Sequence, residues 1–138
     1  MKLPAFSEKS NGIYRMPADV SPLRSSACEK GLRWTGIDLQ RARGKRALLN
    51  AFARALLFPD TFGGNWDALA DGLQDLSWLE GRGWVVTLRG AADFAAAKAE
   101  EHEMLLEILG ATADYWRQHG RVFVVLTDAT GLPSFAGR

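Results

Sequence analysis

The sequence predicts an α/β fold: a small, mostly parallel sheet of three to four strands flanked by helices. Three observations carry this. Two short runs, Trp84 to Leu88 (WVVTL) and Val122 to Leu126 (VFVVL), are β-branched and almost unbroken in apolarity, as strands covered on both faces are. Segments of helical periodicity stand between the candidate strands, and that alternation is the mark of parallel connections. The 138 residues suit one unit, and 47% apolar side chains supply a packed core without disulfides or metal.

Each element follows from local pattern. Residues 1–12 are polar and are expected to be loose. Ile13 to Met16 reads as a short strand ended by Pro17, and Asp19 or Ser21 is placed as the cap of a helix reaching about Glu29. Lys30-Gly31 is a turn. Leu32 to Leu39 alternates, with Leu32, Trp34, Gly36 and Asp38 on one face and Arg33, Thr35, Ile37 and Leu39 on the other. Lys45 to Leu57 is a helix, because Leu48, Phe52 and Leu56 recur at i, i+4 and i+8. Phe58-Pro59 stops it, since the residue before proline avoids helical angles. After a loop from Asp60 to Gly64, Asn65 caps a second helix over Trp66 to Leu76, with Trp66, Leu69 and Leu73 inward. Ala91 to Lys98 and Glu101 to His119 are the remaining helices, the latter closed by Gly120. The tail from Asp128 is turn-rich and expected to fray.

The totals exclude several classes. Charged residues are 24% of the chain, so it is not a disordered polyelectrolyte. Net charge is +1, which by itself gives no pull toward nucleic acid. The one cysteine, Cys28, has no partner for an internal disulfide, and the first residues contain no signal-peptide core. No run approaches the roughly 18 apolar residues of a membrane span. A cytoplasmic monomer with no membrane contact is expected.

Charge is unevenly placed. From Ala55 to Gly81 there are five acids (Asp60, Asp67, Asp71, Asp75 and Glu80) and no Lys or Arg, so this window carries −5 in a chain of +1. Asp67, Asp71 and Asp75 lie four apart, which on one helix stacks them on a single face. Like charges at that spacing oppose the helix by roughly 0.2–0.5 kcal/mol per pair. Gly63-Gly64, just ahead, lets another backbone approach. An acidic face beside such a loop suits a strongly basic partner.

The segment Phe58-Pro59-Asp60-Thr61-Phe62-Gly63-Gly64-Asn65-Trp66-Asp67-Ala68-Leu69-Ala70-Asp71-Gly72-Leu73 resembles the signature of the barstar family. Trp78 and the strands at 84–88 and 122–126 also fall in family order, so the resemblance covers about residues 32–127. Residues 13–31 resemble the strand–helix extension of longer members. The resemblance implies a parallel sheet flanked by helices, and obstruction of a secreted, guanyl-preferring ribonuclease or related toxin nuclease. It implies that the second helix and its loop, Thr61, Phe62, Gly63, Gly64, Asn65, Asp67, Ala70, Asp71 and Asp75, meet the enzyme. Asp67 and Asp71 would replace RNA phosphates, with Asp71 at the catalytic phosphate position. Thr61 stands where the founding member has an aromatic contact, and Ala70 where it has a tryptophan. An outlying acid of the family matches Asp114 or Tyr115. An immunity protein or adaptor for a different nuclease or regulatory partner is the alternative.

Other constellations are weaker. His102, in Glu-Glu-His-Glu, has Leu106 where a second metal ligand would stand at i+4. His119 reads as a helix-end cation. No serine or cysteine stands in a nucleophile motif. Asp67 and Asp71 as an acid/base pair would need a pocket that separates their pKa values, and a helix stripe suggests exposure. No enzyme activity, metal or cofactor is expected.

Overall fold

A computed structural model describes residues 6–60 and 62–135. Strands β1 (Gly12–Arg15), β2 (Arg33–Asp38), β3 (Gly83–Arg89) and β4 (Val122–Thr127) form one sheet in the order β1-β4-β3-β2. Every neighbouring pair is parallel, and Trp34, Val85, Val124 and Gly12 lie in register across it. The helices are α1 (Ser21–Glu29), α2 (Lys45–Ala55), α3 (Trp66–Leu73), α4 (Ala91–Ala97) and α5 (Ala99–Gln118).

This order assigns the helices to faces. From β2 through β3 to β4 the chain steps one way across the sheet. Right-handed crossovers therefore place α2 to α5 on one side. From β1 to β2 it runs the opposite way, which puts α1 on the other. The core divides accordingly. Trp84, Val86, Leu88, Phe123 and Val125 pack with Leu48, Phe52, Leu69, Leu73, Leu105 and Leu109. Val85, Val124 and Leu126 pack with Leu23 and Ala27 of α1 and with Phe6. Side chains alternate along a strand, so coverage of both faces explains the apolar runs of β3 and β4. Truncating a fully buried residue such as Leu69 to alanine costs about 2–5 kcal/mol.

Five expectations need correction. Residues 6–12 are anchored rather than loose. Phe6 is buried, and the Asn11 amide donates to the Ala113 and Arg121 carbonyls while its Oδ1 accepts from Phe123 N–H. Residues 1–5 lie outside the described residues. The tail does not fray through 135: Pro133 O accepts from Arg15 N–H, and Phe135 stacks 5.0 Å from the Phe6 ring. The cap of α1 is Val20, between the two expected candidates, while Asp19 Oδ1 accepts from the N–H of Ser21, the first residue of the helix. The other two concern the ends of α2 and α3, described with the site. α5 closes as expected, with left-handed Gly120 following His119 and Arg121 N–H returning to Trp116 O.

At the carboxyl edge of the sheet, Asp128 follows β4. Its carboxylate accepts from the backbone N–H groups of Gly90, Ala91 and Ala92 at 2.8, 2.8 and 3.1 Å, capping α4 from another element. Gly90 permits this with φ +76 and no Cβ, which would stand 2.6 Å from Gln40 N.

Candidate functional site: an acidic helix and its loop

The site is built from the end of α2. α2 ends at Ala55, two residues short of the expected Leu57, which takes the left-handed region, φ 57, and the chain leaves through Phe58. Gly72 of α3 faces the Phe58 ring so closely that a Cβ there would meet its Cε2 at 2.5 Å. Phe58 also meets Phe62 and Trp78 edge-on, at 4.9 and 5.4 Å between centroids. Trp78 Nε1–H donates to Leu56 O at 3.0 Å. These contacts pin the loop against α3. Phe58, Gly72 and Trp78 therefore position the site, and sequence reading did not single them out for this. The signal available was the glycine at 72, an otherwise poor helix residue.

The loop then turns into the helix. Phe62 N–H donates to Pro59 O. Gly63 and Gly64 are exposed, and Gly64 takes φ +71, where an L side chain would be strained. Asn65 is the cap its sequence position implied: its Oδ1 accepts from Ala68 N–H at 2.7 Å. Thr61 lies outside the described residues.

α3 has two distinct sides. Leu69 and Leu73 are fully buried against α2, α5 and the sheet. Asp67 and Asp71, one turn apart, are exposed. Neither carboxylate has a hydrogen bond or ion pair among the described residues. Ala70 is half-buried beside them. Trp66, expected inward, is only half-buried, and Lys45 Nζ lies 5.8 Å from its ring centroid.

Asp75 is not on the helix. α3 ends at Leu73, three residues short of the expected Leu76. Leu76 takes φ 50 and folds back into the core, 1% exposed. The three-acid helical stripe is thus a pair, Asp67 and Asp71, followed by a turn acid. Asp75 stays exposed and joins Asp71 on the rim of a groove of about 260 Å³ floored by Phe58, Phe62 and Trp78. Asp114 stands apart: it is exposed on α5 and is ion-paired with Arg117 one turn on. Among the described residues no cluster of three metal-ligating side chains exists. No helix among them is long and apolar enough to cross a membrane.

The arrangement offers two free carboxylates on a firmly seated helix, an open glycine loop and a shallow apolar groove. It defines a class of protein: a small parallel α/β unit that displays negative charge. The chain belongs to the barstar family, whose model, described as Barstar (barnase inhibitor), matches residues 33–128. That family is one of ribonuclease inhibitors, and the match takes in the whole acidic helix and its loop. No curated protein matches the chain.

Proposed function

We propose that this protein inhibits a basic, guanyl-preferring ribonuclease by inserting α3 and the loop from Thr61 to Asn65 into its active site. The observation that carries this is the pair Asp67 and Asp71: exposed, one helical turn apart and unpaired among the described residues. Two carboxylates at that spacing imitate the charge of neighbouring phosphates. A cationic cleft gains attraction from them without a substrate to cleave. Asp71 takes the catalytic phosphate position and Asp67 the adjoining one. Asp75, Phe62, Gly63, Gly64 and Ala70 surround them, and Asp114 remains at most a rim contact because Arg117 engages it. The inhibitor acts in the cytoplasm, against an enzyme destined for secretion.

Ala70 favours a second reading. It places a methyl group where the family's founding member has an indole, so an immunity protein or adaptor for a different toxin nuclease also fits. Titration against a panel of small basic microbial ribonucleases, at two salt concentrations, separates the readings. The inhibitor reading expects stoichiometric inhibition that weakens with salt. Failure to inhibit or bind any member, with capture of an unrelated nuclease from the host, transfers support to the second.

A further inference from the structure

The acidic stretch has a counterpart of opposite sign immediately before it. From Leu39 to Pro59 the chain carries five cations, Arg41, Arg43, Lys45, Arg46 and Arg54, and no Asp or Glu. From Asp60 to Gly81 it carries five acids and no Lys or Arg. All ten side chains are exposed. The blocks are also neighbours in space, since Lys45 Nζ sits over the ring of Trp66, the residue before Asp67. Yet no ion pair joins them: among the described residues the one ion pair lies within α5, between Asp114 and Arg117.

Apart from Arg54, in the last turn of α2 where the dipole favours a cation, the basic block is not placed for the stability of that helix. Lys45 and Arg46 occupy the first turn of α2, where the helix dipole disfavours cations, and Gly44 supplies no capping side chain. Glu80 stands apart, in a groove it shares with Arg24 and Arg33, and Asp60 shares a groove with Arg54, so the facing patches are Arg41, Arg43, Lys45 and Arg46 beside Asp67, Asp71 and Asp75. Two such patches are self-complementary under a two-fold axis. Turning one copy over sets each basic block on the other's acidic block, and the contact closes as a pair rather than a chain.

We infer that a second copy of this chain docks on the α2–α3 surface, basic block against acidic block in both directions. The contact is electrostatic, because among the described residues Leu57 is the one large apolar side chain standing well exposed on this part of the surface. It is therefore weak and salt-sensitive. It covers Asp67 and Asp71, so the pair is a self-masked form that a ribonuclease must displace. The inference differs from the monomer expected from the sequence and goes beyond the inhibitor reading. A chain that inhibits a ribonuclease yet never self-associates loses the dimer alone.

Sedimentation equilibrium of the full chain tests it. The expected result is a dimer fraction that rises with concentration at about 0.01 M salt and disappears at about 1 M, where the screening length falls from about 30 to about 3 Å. Arg43→Glu with Arg46→Glu, and separately Asp67→Lys with Asp71→Lys, should each weaken self-association at least about tenfold by setting like charges together. A mixture of these two variants should pair more tightly than either alone. All four positions are exposed, so thermal unfolding should confirm that both variants fold. A monomer at every concentration in low salt overturns the proposal. So does a dimer indifferent to salt, or a mixture no tighter than its components. Retention of a wild-type monomer on single-stranded RNA, without self-association, assigns the basic block to nucleic acid and overturns it as well.

Discussion

Asp128 and the pair Asp67 and Asp71 are all carboxylates next to the start of a helix or within its first turns, but they are used in opposite ways. Asp128 gives both oxygens to three backbone N–H groups at the start of α4 and joins two elements some forty residues apart in the chain. Asp67 and Asp71 give theirs to nothing among the described residues, although Asn65 has already capped their helix. An acid that completes the fold is surrounded by donors from its own chain. The two acids proposed to meet a partner are left in water, on a helix whose other needs are met elsewhere. The difference separates two residue types that look alike in a sequence.

The sharpest way to break that contrast is to exchange what each acid should control. On the proposed function, Asp71→Ala should weaken binding to the inhibited ribonuclease by about 2–5 kcal/mol, measured from inhibition curves. That is the range for truncating one partner of a buried charge pair, and this family's own complexes contribute to it, so it is an adopted magnitude. Because the side chain is exposed, the urea midpoint should move by no more than about 0.5 kcal/mol equivalent. A large loss of stability without loss of inhibition would refute the assignment. Asp128→Ala should do the reverse. It removes three hydrogen bonds and a dipole partner at α4, so unfolding free energy should drop by about 1–3 kcal/mol while the folded protein still inhibits.

Between these lies Gly72→Ala. The added methyl would stand 2.5 Å from Phe58 Cε2, so the ring must leave its seat against α3. Overpacking of this kind costs about 1–3 kcal/mol. Here it should also loosen the loop that carries Phe62 to Asn65, and so lower inhibition along with stability. If inhibition is unchanged, the loop does not depend on the Phe58 contact, and the positioning role of that cluster fails.

The parts of the molecule legible in the sequence are those set by local pattern. The β-branched runs of β3 and β4, the Leu48, Phe52 and Leu56 stripe and the Asn65 cap all act within a few residues, and the structure has them where their spacing implies. Long-range contacts were not legible. Asn11 looks like a solvated loop residue until Ala113, Arg121 and Phe123 surround it. Asp128 looks like part of a tail until α4 arrives above it. α3 shows a subtler limit. Leu69, Leu73 and Leu76 keep helical spacing and all reach the core, but Leu76 does so through a reversed backbone. Hydrophobic period therefore reports burial correctly and the helix boundary wrongly. Asp67 and Asp71 were legible as a stripe, whereas Asp75 depended on that boundary and the aromatic seat under the loop on tertiary packing.

His102 extends the comparison to a group that is buried but not satisfied, and it carries the smallest effect. It lies near the start of α5, 8% exposed, and its Nε2 has no partner among the described residues. Burial pushes its pKa below the ordinary histidine value, against a smaller upward pull from Glu103. The sign follows from proton uptake. Well above the unfolded pKa of about 6.5, both states are neutral and His102 adds no pH dependence. As pH falls through about 6.5, the unfolded chain takes the proton first, so stability declines until the folded pKa is reached. Urea midpoints measured between about pH 8 and pH 5 should therefore fall on the acid side, and His102→Leu should flatten that decline. An unaltered slope in His102→Leu would show that this imidazole is not the group whose burial sets the decline on the acid side.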